Sequence, residues 1–230
     1  MAVFISGGGF ALPSFLDVFS ENTWEQIIVA CQLNRVPDTW KIGDQKAMTI
    51  NGAAYMVTII GKNHDSYSDG TGNAPLTFQL RECYNTTYRM NGSNTNNGGW
   101  TNSQMRSTHL PTVLNLMPSV VQSSIREVNK LTTDGKTSST IVTTADKLFL
   151  LSEIEVFGLV SISKSGEGTQ YEYYKKGNSS IKQVNGTNNS YWLRSPQGTT
   201  STNYCCVNVS GGTSFDNASN PNGVPFAFCF

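Results

Sequence analysis

The pattern of apolar positions changes period several times along the chain, and each change predicts an element. After Asn22, the residues Trp24, Ile27, Ile28 and Cys31 recur at i, i+3, i+4 and i+7, one stripe of a helix of about three turns. Asn22 is placed to cap that helix, with Glu25 at the reciprocal position. Beyond Trp40 the period becomes two. Ala47 to Ile50 and Tyr55 to Ile60 flank Asn51-Gly52, a dipeptide suited to the positive φ angles of a tight hairpin turn. Thr77 to Leu80 predicts a further strand, and Asn91 to Asn102 is too rich in Asn, Gly and Thr to hold a regular element. A second helix is predicted from near Ser103, with Pro111 in a first turn, Val113, Leu114 and Met117 on its apolar side, and Pro118 as its stop.

Ile125 to Leu131 and Ser139 to Thr143 flank Thr133-Asp134-Gly135, another hairpin signal, and Lys147 to Leu151 reads as a core strand. Ser152-x-x-Glu155 is a capping box opening a short helix that Gly158 can end. Short strands at Tyr191 to Arg194, Tyr204 to Val209 and Val224 to Phe230 complete the chain. This order predicts an α+β fold with a mainly antiparallel sheet, few helices and long loops. Residues 1–20 read as a leader or truncated connection, and residues 21–230 as a single domain.

Composition sharpens this picture. Asn, Ser, Thr and Gly fill 92 of 230 positions, while only 14% of residues are charged, in balance at 16 basic and 16 acidic. Such a chain has a neutral, hydrogen-bonding surface and lacks the basic excess that nucleic acid demands. A hydrophobic fraction of 38% nevertheless excludes disorder. No apolar run approaches the roughly 20 residues of a membrane span, and no basic segment precedes the apolar residues of Met1 to Leu16, so neither membrane insertion nor a secretory signal is expected. The five cysteines form no C-x-x-C and have no His nearby, which argues against zinc and for free, buried thiols. A contact between Cys205 and Cys229 is the one pairing the strands suggest.

Catalytic chemistry has no obvious carrier. His109 falls within the second helix, and His64 follows Gly61-Lys62-Asn63 with no Ser or Cys partner set by spacing. Asp65-x-x-x-Asp69-Gly70 resembles half of a calcium loop but has Tyr67 at the third position and Leu76 at the twelfth. No phosphate-cradling glycine pattern occurs. No metal or cofactor is therefore expected.

One regional asymmetry remains. From Asn188 to Phe230 only Arg194 and Asp216 are charged, against 30 charges in the preceding 187 residues. Small polar residues mixed with isolated aromatics make an adaptable recognition surface, in which aromatics add contact area and Ser, Asn and Gly add hydrogen bonds. An ordinary loop-rich edge would have the same composition.

The runs Asn22 to Ile27, Trp40 to Asp44, Ile59 to Asp65, Gly98-Gly99-Trp100 with Met105-Arg106, and Asp146 to Ser152 resemble a domain of unknown function common in phages and prophages of gut bacteria. Tyr191-Trp192-Leu193-Arg194-Ser195-Pro196 and Gly223 to Phe230 resemble the C-termini of variable proteins diversified by retroelements. The resemblance implies a C-type-lectin fold related to that of the formylglycine-generating enzyme, with a ligand-binding face on a constant scaffold. In such families a reverse transcriptase mutates template adenines, mostly in AAC or AAT codons, and the resulting codons cannot encode Lys, Glu, Gln, Met or Trp. Gly198 to Asn217 contains none of the five; Gln197 departs from the rule.

Carried onto this chain, the resemblance nominates Tyr191, Thr199, Thr200, Ser201, Thr202, Tyr204, Cys206, Asn208, Ser210, Thr213, Ser214 and Phe215 as ligand-facing positions within a variable face at 188–217. Trp192 and Arg194 are assigned to the support behind them. Strand alternation adds that Tyr204, Cys206, Asn208 and Ser210 share one face, leaving Cys205, Val207 and Val209 toward the core. The implied function is non-enzymatic recognition of a host cell-surface protein or glycan by a phage tail-fibre tip or a prophage equivalent, located on the virion or the bacterial surface, with a trimer among the homo-oligomers this allows. The alternatives are a bacterial surface adhesin or lectin and an enzyme on the formylglycine-generating scaffold; the paired cysteines of the latter have no matching motif here.

Overall fold

In the computed structural model, which describes residues 13–230, Thr23 rather than Asn22 caps the first helix, α1 (Trp24–Gln32). The Thr23 hydroxyl accepts the Gln26 N–H and the Gln26 side chain accepts the Thr23 N–H, a capping box one residue later than the sequence pattern suggested. Asn22 is instead buried, its amide tied to Leu16 and Val18. That tie brings the preceding segment into the domain: Phe19 is buried with its ring 5.3 Å from that of Trp40, and the Trp40 indole donates to the Leu16 carbonyl. The expected leader therefore does not extend to residue 20; its first twelve residues lie outside the described part.

The hairpin forms as the pattern required. β1 (Gln45–Ile50) and β2 (Ala53–Lys62) join through Asn51 and Gly52, both at positive φ. β3 (Leu76–Leu80) pairs with β2, and the last strand of the chain, β11 (Ala227–Cys229), pairs with β3, closing a four-stranded antiparallel sheet in the order β1-β2-β3-β11. Phe228 and Phe230 pack on Phe78 with ring centroids 5.4 and 5.5 Å apart, so the C-terminal residues share one core with β3.

The middle of the chain departs more from the pattern. A π-helical turn at Met105–His109 leads into α2 (Leu110–Leu114), and Pro118 does not end the helical region but stands before α3 (Ser119–Ser124). β4 (Val128–Thr133) and β5 (Ile141–Asp146) make the second hairpin. The segment predicted as a strand at Lys147 to Leu151 is irregular, with one isolated bridge from Phe149 to Ala227, and its burial comes from side-chain packing. The box at Ser152 and Glu155 opens α4 (Glu153–Phe157), which ends at Gly158 with φ 72°. A one-turn helix, α5 (Glu172–Lys175), and the short strands β6 (Gln183–Val184) and β7 (Thr187–Asn188) follow.

A three-stranded antiparallel sheet carries the candidate face, with β8 (Tyr191–Pro196) and β10 (Thr213–Asn217) on either side of β9 (Asn203–Val207). The fold is thus α+β, with mostly antiparallel sheets and few helices. No helix among the described residues is long and apolar enough to cross a membrane.

Candidate functional site

β9 lies between two strands and is covered on both faces, which overturns part of the sequence assignment. Tyr191, Tyr204 and Cys206, expected to face a ligand, are fully or almost fully buried. The Tyr204 hydroxyl donates to the Gly99 carbonyl (2.8 Å) and the Tyr191 hydroxyl to the Ser180 carbonyl (2.9 Å). Alternation predicts exposure only where one side of a sheet meets water. Here the carbonyls of Tyr88 and Gly99 accept from Trp192 and Tyr204 on one side, and Glu153 of α4 accepts from Thr213, in register with Val207, on the other. Val209 is corrected in the opposite sense: β9 ends at Val207, and Val209, expected in the core, sits in the turn at 49% exposure.

The remaining candidates divide among three places. Thr199, Thr200, Ser201 and Thr202 form the turn between β8 and β9. Asn208 and Ser210 belong to the turn between β9 and β10, about 17 Å away along the five residues of β9. Thr213, Ser214 and Phe215 lie on β10, with Phe215 at 49% exposure.

The 199–202 turn is held by residues remote in sequence. Asn96, completely buried, donates its side-chain amide to the carbonyls of Thr200 and Asn203, both at 2.9 Å, while its own N–H reaches the Ser201 carbonyl at 2.8 Å. Its side-chain oxygen accepts the Lys136 N–H, so one asparagine binds three loops together. The Gln197 side chain accepts from the Thr200 hydroxyl and the Asn203 amide. Beside this turn, Asn94 bonds Asn217 at 3.3 Å, bringing the exposed Asn94, Asn97, Asn217 and Asn220 to the same end of the sheet. Sequence reasoning missed Asn96 and its neighbours because a run of Asn and Gly reads as a loop with no means of telling which amide is buried. By contrast, the Thr199 and Ser201 hydroxyls have no partner among the described residues.

At the other turn, the Asn208 side chain accepts the N–H groups of Ser210 and Gly212, a local Asx arrangement. On β10, Thr213 donates to Glu153 at 2.8 Å. Glu153 is buried and also gathers the N–H groups of Ser161, Ile162 and Ser163, fixing the loop beyond α4.

Behind the sheet, Trp192 and Arg194 are both fully buried. The Trp192 indole donates to the Tyr88 carbonyl at 2.8 Å. Arg194 donates to the carbonyls of Leu131, Leu150 and Glu167 and makes a bidentate pair with Glu155. Glu155 continues to Lys130 (2.8 Å), and Lys130 to Asp65 (2.7 Å). Burial would raise the Glu155 carboxyl, but Arg194 and Lys130 outweigh it and lower it to about 2. Nearby Glu167 has no such partner and burial raises it, with Thr133 holding one oxygen and the other unbonded.

The network borders a cleft of about 410 Å³ lined by His64, Ser66, Asn129, Thr143 and Thr169. Lys130 spends its donors on Asp65, Glu155 and Tyr171, and His64 stacks on Tyr171 at 3.9 Å, burial pulling its pKa down. His109 stacks likewise on Tyr88. All five cysteines are free and buried, Cys205 and Cys229 included, and burial pushes Cys31, Cys83 and Cys206 up to about 12, so these three are thiols near neutrality. No group of three or more His, Cys, Asp and Glu side chains able to hold a metal ion occurs among the described residues.

No curated protein and no solved structure matches the chain. Residues 76–230, the span from β3 to β11 that contains all twelve positions nominated as ligand-facing, match the family described as a domain of unknown function, DUF6273. This is more than half of the sequence, and the chain belongs to that family.

Proposed function

We propose that this protein is a non-enzymatic recognition module of C-type-lectin fold, that a retroelement diversifies its exposed C-terminal positions, and that it forms the receptor-binding tip of a phage tail fibre or a prophage equivalent. Its ligand is a protein or glycan on the host cell surface, and its place is the virion or the bacterial surface.

One observation carries the reading: at the 199–202 turn Asn96 fixes the backbone and Gln197 holds the Thr200 and Asn203 side chains, while the Thr199 and Ser201 side chains are exposed and unbonded. A surface that changes residue by residue needs this division, because substitution of exposed side chains usually shifts stability by less than about 0.5 kcal/mol. The surrounding Asn and Thr side chains supply neutral hydrogen bonds that suit protein or sugar ligands.

The test is adsorption of the labelled protein to a panel of gut bacterial strains, comparing wild type with a Thr199→Lys, Ser201→Lys variant. The expected result is strain-selective staining that the variant loses or redirects at least tenfold, with an unchanged melting temperature. Equal adsorption by the variant would remove the face from this role. The diversification part stands separately on the adjoining DNA, where a near-copy of the last coding stretch, differing only at adenines, should lie beside a reverse transcriptase gene.

A further inference from the structure

β10 is an edge strand, and the direction of its backbone groups follows from the bonds at its two ends. The Asn208 N–H donates to the Gly212 carbonyl and the Ala218 N–H to the Thr202 carbonyl, with Ser214 opposite Cys206 and Asp216 opposite Tyr204 between them. Even-numbered residues therefore bond to β9, and the N–H and C=O groups of Thr213, Phe215 and Asn217 point away from it. Asn217 spends its N–H on the Asp216 carboxylate and its carbonyl on the Asn220 N–H. Thr213 and Phe215 have no backbone partner among the described residues. An open edge of this kind is a template for another strand, and native proteins normally block one with charge, proline or a covering segment. The other outer strand of this sheet is covered in that way, since β8 bonds to Gly223 and Leu151.

We infer that the β10 edge pairs with β10 of a second copy, antiparallel about a two-fold axis at Phe215. The register is self-complementary. Phe215 meets its own symmetry mate, the two residues exchanging both main-chain hydrogen bonds, and each Thr213 N–H reaches the second lone pair of the partner's Asn217 carbonyl. On one face the two Phe215 side chains, now half exposed, lie directly opposite each other and cover one another. On the other face each Ser214 hydroxyl, whose neighbour within its own chain is the weakly accepting Cys206 sulfur, stands opposite the partner's Asp216. That carboxylate already accepts from Asn217, Asn220 and Asn222 and has capacity for a fourth donor. Asp216 is the strand's one charge, and it meets a hydroxyl donor rather than its own copy. The chain as a whole carries no net charge to oppose association.

Two five-residue strands make a small interface, at the low end of specific contacts, so the dimer is concentration-dependent rather than permanent. It is independent of the recognition reading, with one consequence for it: Thr213, Ser214 and Phe215 belong to the interface instead of the ligand-facing set, and the 199–202 turns of both copies stay exposed.

Sedimentation velocity of the full chain from about 10 µM to about 1 mM tests the inference. The expected result is a monomer–dimer equilibrium weakened at least tenfold by Phe215→Lys, which sets lysine against lysine, with no change in melting temperature. Mild oxidation of Phe215→Cys should trap a covalent dimer, whereas Ser210→Cys, on the exposed turn, should not. A monomer at every concentration, a dimer indifferent to Phe215→Lys, or equal cross-linking of both cysteine variants would overturn it.

Discussion

Replacing Arg194 with methionine probes the centre of the fold, because the change keeps most of the side-chain length and removes only the guanidinium. In the native chain that group bonds Leu131 at 3.1 Å, Leu150 at 2.9 Å and Glu167 at 2.9 Å, and holds Glu155 through two nitrogens. Removing one partner of a buried ion pair costs about 3–5 kcal/mol, since the remaining charge keeps its desolvation penalty. Lys130 and the Ser152 N–H still reach Glu155, which places the loss toward the lower end of that range. The Leu131 and Leu150 carbonyls then add about 1 kcal/mol or more each where water cannot replace the donor. The Glu167 carbonyl adds less, because it keeps the Ser152 hydroxyl. The expected total is about 4–7 kcal/mol, a large part of the roughly 5–15 kcal/mol that a domain commands.

Equilibrium urea unfolding followed by circular dichroism and tryptophan fluorescence reads this as a collapse of the midpoint at unchanged slope. Glu155→Gln alone should be similarly damaging, and combining the two changes should cost less than their sum by at least about 2 kcal/mol. A loss below about 1 kcal/mol for Arg194→Met, or strict additivity of the pair, would show that the network contributes little and that the assignment of Arg194 as the staple between β8, β4 and α4 is mistaken.

Three further outcomes are expected. Trp192→Ala should cost about 3–5 kcal/mol as a core truncation, the Tyr88 carbonyl keeping the Asn222 N–H, measured by the same unfolding experiment. Deleting residues 221–230 removes β11 together with the fully buried Phe226, Phe228 and Phe230, so soluble, cooperatively melting protein should disappear; a truncated chain with native melting behaviour would contradict the single shared core. The third concerns pH. Glu155 titrates lower in the folded than in the unfolded chain, so its stabilisation is present above about pH 4.5 and is lost as pH falls toward about 2. Glu167 is shifted the other way, so the unfolded chain releases its proton first and stability declines as pH rises from about 4.5 through the raised folded value. Melting temperatures between about pH 3 and about pH 8 should therefore show Glu167→Gln flattening the alkaline limb and Glu155→Gln flattening the acid limb; unaltered profiles would refute the assignments.

The elements legible in the sequence are those specified by residues close to one another. The Trp24 to Cys31 stripe, the Asn51-Gly52 turn and the Ser152 and Glu155 box each act over a few positions, and each has its element in the fold. Even there the cap moved by one residue, because Asn22 found buried carbonyls to bond and left the helix end to Thr23. What the sequence could not decide was which side of a strand meets water. Tyr204 and Cys206 alternate correctly with Cys205 and Val207, but both sets are buried, and the groups that meet the sheet, the Tyr88 and Gly99 carbonyls and Glu153 of α4, lie over a hundred or 60 positions from their partners. The same holds for Asn96, one amide in a polar run, which becomes the anchor of the 199–202 turn only because the carbonyls of Thr200 and Asn203 arrive beside it. The bonds that place the candidate face are long-range, between partners that local patterning cannot pair, and they exist only once the sheets have packed.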